Sequence, residues 1–229
     1  LFISGSAPLL SATHREWARR TGHDIVERYG MTETTMLTSN PIDGRRRPGT
    51  VGRPLPGVSV RIADPDDNGI GMIQVAGPNV FQGYWEMPER TAQEFTDDHH
   101  FITGDVGMID DEGYVHIVGR EKDLVIRGGY NVYPKEIETV IDSLEGVAES
   151  AVFGIPDPDL GERVVAAVVF DGSRVLTRED IHQQVAVRLA DYKRPAEYVF
   201  MAALPRNVMG KVQKSVLRDN GLVRGAGVA

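Results

Sequence analysis

The chain has 229 residues, 41% of them apolar and 25% charged, with a formal net charge of −8 and no cysteine. That length accommodates one large domain or two small ones with a real core. The missing cysteine excludes disulfides and thiolate metal sites, and the acidic balance argues against non-specific nucleic-acid binding, which rests on clustered lysine and arginine. The longest apolar runs, such as Val164 to Phe170, are too short to span a bilayer. No signal peptide opens the chain, and the cytoplasm is the expected compartment.

Residues 1–8 read as strand and turn; beginning in mid-strand and without Met, LFISGSAPLL looks like the start of a fragment. Ser11 to Arg20 is predicted helical, with Trp17 on one face and Gly22 as its stop. DIVERYG follows as a strand ending at a glycine, then the polar MTETT. From Gly49 to His116 short strands alternate with Gly/Pro turns (VSVRIAD, GMIQVAG, VGMID, YVHIVG), the pattern of a small sheet or distorted barrel. A helix, PERTAQEF, interrupts it with Pro88 at its start.

Beyond Asp123 the pattern changes. Leu124 to Ile126 is a short strand, and Pro134 begins a helix with Ile137, Val140, Ile141 and Leu144 on one face. Strands SAVFGIP and VVAAVVF follow, then TREDIHQQVAVRLA, where Thr177 and Asp180 form a capping box ahead of Ile181, Val185 and Leu189. The strand YVFMAALP and a last short helix after Lys211 complete an α+β unit, and GLVRGAGVA is expected to fray.

Three short motifs hold chemistry-bearing residues. YGMTETT sets Thr32 beside Glu33 just after a strand, a hydroxyl for a phosphoryl oxygen and a carboxylate for Mg2+; alone, it also describes a solvated turn. TGD puts Asp105 in a tight turn between strands, where a carboxylate accepts ribose hydroxyls or simply serves the turn. PRNVMGKVQK projects Lys211 from a polar loop after Gly210, as a mobile cation aimed at an anion or as an ordinary surface lysine.

Order and spacing are more specific than any one motif. SGSAPL, YGMTET, TGD, GREKD, RGGYNVYPKEIE and PRNVMGK occur in the sequence found in acyl-adenylate-forming enzymes. This superfamily comprises acyl-CoA synthetases, peptide-synthetase adenylation domains and luciferases, and the chain resembles it from residue 1 to about 219. Within it, LFISGSAPLL, THREW, ERYGMTET, GPNVFQGYW and PRNVMGKVQK most resemble malonyl-CoA and methylmalonyl-CoA synthetases.

The resemblance implies an α/β plus α+β architecture. Residues 1–121 would be the C-terminal part of the large AMP-binding domain, an α/β layer with a small distorted barrel; 122–229 would be a small mobile lid, with Lys122 the hinge within about 120–123. It implies ATP, Mg2+, CoA and a small carboxylic acid as reaction partners. Gly5, Ser6 and Ala7 would lie along adenine and acyl group, and Tyr29, Gly30 and Met31 would flank both pockets. Thr32 would contact the α-phosphate, Glu33 would bind the metal, Asp105 would take the ribose hydroxyls, and Arg120 would reach ribose or phosphate. Lys211 would be the adenylation lysine and a target for regulatory acetylation. Gly128, Gly129 and Tyr130 would border the channel for the pantetheine arm of CoA.

No Ser/Thr/Gly-rich phosphate loop occurs among these residues, so an upstream half of the same enzyme is expected to supply it, and the piece alone is expected to be inactive. The turn ADPDDNGIGMI is shorter than is usual in such enzymes. Two other readings stand beside the malonyl-CoA type: a ligase for another acid or a carrier-protein thiol, and a non-catalytic remnant that binds nucleotide or CoA.

Overall fold

The computed structural model describes residues 1–5, 9–208 and 210–219, and the chain divides into two compact units, Leu1–Glu121 and Lys122–Ala229. Ser6, Ala7 and the tail 221–229 lie outside the described residues.

The first unit opens as a strand–helix–strand crossover. β1 (Phe2–Ser4) and β2 (Ile25–Met31) pair in parallel through α1 (Ser11–Thr21), because a tight turn cannot return a chain to the end it started from. Gly22 closes the helix in the left-handed region, φ 70°, and donates its N–H to the Ala18 carbonyl. Buried His14 ties α1 to β2 through Nε2, 3.0 Å from the Ile25 carbonyl.

MTETT is not the simple polar segment expected. β2 runs on through Gly30 to Met31, turns at 32–34 and returns as β3 (Thr35–Ser39), to which β4 (Arg53–Pro54) adds. The strand escapes its own pattern because Leu37 and Thr38, which are neighbours, are both buried. The second sheet is an antiparallel meander of β5 (Ser59–Ala63), β6 (Gly71–Ala76), β7 (Phe101–Ile109) and β8 (Val115–Arg120). Helix α2 (Pro88–Gln93) lies between β6 and β7. Val51 donates to the Val115 carbonyl (3.0 Å) and Val115 to that of Gly52 (2.8 Å), joining the two sheets. Tyr29, Leu37, Ile73, Val75, Phe101 and Val115 form the core of this unit.

A second correction concerns TGD. Asp105 is not in a turn between strands; it lies inside β7. Met72 pairs with Val106 and Gln74 with Ile102, so Thr103, Gly104 and Asp105 face a single residue of β6 and form a bulge. Gly104 adopts φ 68° with no atom near its Cβ direction, so backbone conformation, not space, calls for glycine.

The boundary between the units falls within a 3-10 turn at Glu121–Asp123. β9 (Val125–Arg127) and β10 (Tyr130–Val132) form a hairpin whose two turn residues, Gly128 and Gly129, have φ 58° and 82°. Positive φ at both centres gives the mirror-image turn that suits the twist of paired strands. Next come α3 (Pro134–Asp142), β11 (Val147–Asp157), β12 (Gly161–Phe170), α4 (Arg178–Ala186), β13 (Glu197–Met201) and α5 (Lys214–Asp219). The sheet order is β10-β9-β12-β11, with β13 also on β12.

Both faces of this sheet are covered, which is why VVAAVVF is apolar without alternation. Val164, Ala166 and Val168 face Ile137 and Ile141 of α3 and Ile181 and Val185 of α4. Val165, Ala167 and Val169 face Leu204 and Leu217. The capping box at Thr177 and Asp180 is present as read, although α4 stops at Ala186 and Leu189 is buried beyond it.

At the end of α3, burial pushes the Asp142 carboxyl up to about 6; the Glu138 charge adds to this, while the Ser150 hydroxyl, which donates to it at 2.7 Å, and Lys135 oppose it. Because the folded chain holds this proton more tightly than the unfolded one, the contribution to stability is full below about pH 4 and is lost as pH rises through about 6. Asp142→Asn should therefore gain on the parent protein by about 1–3 kcal/mol between pH 4 and pH 8. Urea midpoints measured across that range test this; a constant offset would contradict it.

Candidate active site

The first unit places a charge where water is nearly excluded. Asp105 is 3% exposed, and each of its carboxylate oxygens has a protein donor. Tyr29, from β2, donates its hydroxyl to Oδ2 at 2.5 Å. Arg120, directly opposite on β8, places Nε 2.8 Å from Oδ1. The bulge aims this carboxylate, and Thr103 closes it by donating to the Ile73 carbonyl (2.8 Å) and accepting from the Asp105 N–H (3.1 Å). Burial, followed by the Asp105 charge, pushes the Tyr29 phenol far above its ordinary value, so it remains a donor at neutral pH. Arg120 is 44% exposed and can still offer donors outward.

Two residues past Tyr29 the β2–β3 hairpin turns, presenting Thr32 exposed and Glu33 half-buried. Three constraints hold this tip. At Gly30 the strands come so close that a Cβ would lie 1.9 Å from the Thr35 carbonyl oxygen. Thr34 is fully buried, donates its N–H to Met31 O (3.1 Å) and accepts from Met31 N–H (3.3 Å). Finally, the loop 77–84 straps the turn from outside: Asn79 Nδ2 donates to the Thr34 and Met36 carbonyls (2.7 and 3.0 Å), and Phe81 N–H donates to the Glu33 carbonyl (2.8 Å). Tyr84 donates its hydroxyl to Glu33 Oε1 at 3.2 Å. Arg90 lies 4.4 Å over the Tyr84 ring. The segment GPNVFQGYW holds Asn79 and Tyr84, but their roles are not legible there, since their partners lie 43 to 51 positions away. Gly5, just past β1, lies against Arg28, whose Cγ is 3.4 Å from the Cβ direction, while Met31 packs on the core.

This arrangement suits a polyol and a phosphate. A buried oriented carboxylate accepts hydroxyls, while an exposed hydroxyl and a pinned carboxylate can meet a phosphoryl oxygen and a hard cation. Among the described residues no group of three or more His, Cys, Asp or Glu side chains is placed to hold a metal by itself. No helix among them is long and apolar enough to cross a membrane.

In the second unit Lys211 is exposed on a loop closed upon itself: its N–H donates to Asn207 Oδ1 (3.0 Å), and Asn207 N–H donates to the Lys211 carbonyl (2.9 Å). Gly210 makes the bend at φ 78°. Tyr130, after the Gly128-Gly129 turn, stacks on Tyr192 with ring centroids 4.8 Å apart. Arg127 donates to the carbonyls of Asp191, Tyr192 and Arg194 at 3.0–3.2 Å. Arg127, Gly128, Tyr130, Asp191, Tyr192 and Arg194 line part of a groove of about 530 Å³. Lys122 is exposed in the 3-10 turn.

The sequence pattern of the AMP-binding enzyme family matches residues 1–85, and that of the AMP-binding enzyme C-terminal domain matches residues 136–211. The chain belongs to this family. It is 42% identical over 233 residues to a malonate–CoA ligase of Arabidopsis thaliana, covering 96% of this chain and 38% of that protein. It is 40% identical to the long-chain-fatty-acid–CoA ligase FadD13 of Mycobacterium tuberculosis, covering 95% of this chain and 44% of that one. The crystal structure of ATP-bound MatB from Rhodopseudomonas palustris superposes with a TM-score of 0.92 at 58% identity, over 97% of this chain and 45% of MatB. The chain thus spans less than half the length of these AMP-binding relatives, and its mixed α/β build matches the adenylate-forming fold.

The hairpin geometry carries a direct consequence. Gly30→Ala should destabilise the fold by about 3 kcal/mol or more, since the clashing atom is backbone and cannot step aside. Gly104→Ala, which meets only a conformational penalty, should cost about 1 kcal/mol. Chemical denaturation of both variants compares them, and equal losses would refute the close-approach account.

Proposed function

We propose that the whole protein is an ATP-dependent acid–CoA ligase that activates a small carboxylate, malonate or methylmalonate. The observation that carries this reading is the buried Asp105 carboxylate, oriented by Tyr29 and Arg120 at the base of the Thr32–Glu33 hairpin in a chain of the AMP-binding family. In the first half-reaction a carboxylate oxygen attacks the α-phosphorus of ATP and the bond to pyrophosphate breaks. In the second, the CoA thiolate attacks the acyl carbon and AMP leaves.

The roles follow the residues. Asp105 accepts the ribose hydroxyls, and Arg120 both orients Asp105 and offers a donor to ribose or phosphate. Thr32 donates to the α-phosphate, the small residues Gly5, Ser6 and Ala7 leave room for nucleotide and acid, and Tyr29, Gly30 and Met31 flank both pockets. Glu33 fits Mg2+ in its usual mode, one or two carboxylates with substrate phosphates and water completing the shell. Mg2+ there would neutralise phosphate charge; Tyr84 fixes the Glu33 carboxylate that would face it. Lys211 supplies the cation where negative charge gathers during adenylation, Lys122 acts as hinge between half-reactions, and Gly128, Gly129 and Tyr130 border the thiol channel.

The near-equal identity to a long-chain-fatty-acid ligase supports a second reading, the same chemistry on a longer acid. Pyrophosphate release by the whole protein with a panel of acids decides between them: malonate should give the highest kcat/KM, and preference for a long acyl chain would favour the second.

Lys211→Ala should slow acyl-adenylate formation by about 10²–10³-fold and leave thioester formation from supplied acyl-adenylate intact. Equal loss in the two half-reactions would remove Lys211 from this role. Lys122→Pro should impair the thioester step more than adenylation, as read by the same two assays.

A further inference from the structure

We infer that Lys214 and Glu138 form a positioning pair that fixes the loop presenting Lys211. Lys214 opens α5, three residues beyond Lys211, and its ammonium lies 2.7 Å from Glu138 Oε1 with side chains only 17% and 10% exposed. The same Oε1 accepts the backbone N–H of Val152 at 2.9 Å. Val152 belongs to β11, the margin of the sheet, so one carboxylate joins α3, a marginal strand and α5. Lys135 stands 3.9 Å from the other oxygen.

The placement of Lys214 is costly to its own helix. A cation in the first turn opposes the helix dipole, and α5 has no acidic residue there to offset it. Six residues are too few for a self-sustaining helix. Leu217 is its buried anchor, and the Glu138 pair is the second. From there the path to Lys211 is short. Gln213 N–H donates to the Pro205 carbonyl (2.9 Å), Arg206 and Val212 form a β-bridge, and Arg206 pairs with Glu149 on the other limb. Three residues span about 10 Å at most, so freeing Lys214 frees the limb on which Lys211 rides.

The role rests on the proposed adenylation function of Lys211, but part of its test does not. In the whole protein, Lys214→Met should speed amide exchange at Asn207, Gly210 and Lys211 by about tenfold or more while Val165–Val169 stay protected. It should also slow adenylation by about 10- to 100-fold and leave thioester formation from supplied acyl-adenylate within about twofold. Lys214→Arg should restore both. Glu138→Gln, which keeps an acceptor for Val152 and removes only the charge, should reproduce the loop effect even if Lys214→Met disturbs the core. Unchanged exchange at 207–211 in both variants would overturn the pair, as would an equal fall in the two half-reactions. Were the parent protein to adenylate no acid, the proposed function would fail while the exchange result still decided the anchor.

Discussion

A carboxylate removed from water must find donors, and in the first unit that requirement organises three strands. Asp105 takes a phenol from β2 and a guanidinium from β8, and the strand it sits on must bulge to turn it toward both. Leaving such a group unpaired costs several kcal/mol, so the bulge, the phenol and the arginine stand or fall together. The hairpin that carries Tyr29 is thereby fixed at its base, and the strap through Asn79 and Tyr84 fixes its tip. Thr32 and Glu33 are presented by a rigid object whose two ends are held by different elements.

The second unit uses a different device. Its sheet is covered on both faces by apolar contacts, and the polar residues that matter lie at its margins: Arg127 gathering three carbonyls, and Glu138 reaching round the outer strand to Lys214. Cations of this unit are thus divided. Some are committed to holding loops, while Lys211 stands exposed at the end of one of them.

Much of this was legible in the residues. Helix limits marked by Gly22, Pro88, Pro134 and the Thr177–Asp180 box appear within a few positions, because caps are local chemistry. GMIQVA and VVAAVVF, read as strands, are β6 and the apolar stretch of β12. Two features were not legible. β3 buries adjacent residues, which erases the period of two, and the TGD bulge looks like a turn because a positive-φ glycine serves either. Asn79 and Tyr84 lie within GPNVFQGYW, yet what they do is set by partners far along the chain and emerges only on folding. The resemblance sets Tyr29 beside the pockets, but nothing local in the sequence announces its bond to Asp105, 76 positions on.

One consequence concerns β11. The outermost strand of a sheet offers a row of unclaimed amides to any extended peptide that drifts past, including the same strand of a sister molecule. Here the Val152 amide is already claimed by a carboxylate from within the unit, with a lysine seated upon it. An intruding backbone would have to evict a charged stopper before it could zip on, so the grip that holds α5 doubles as a guard against runaway strand stacking.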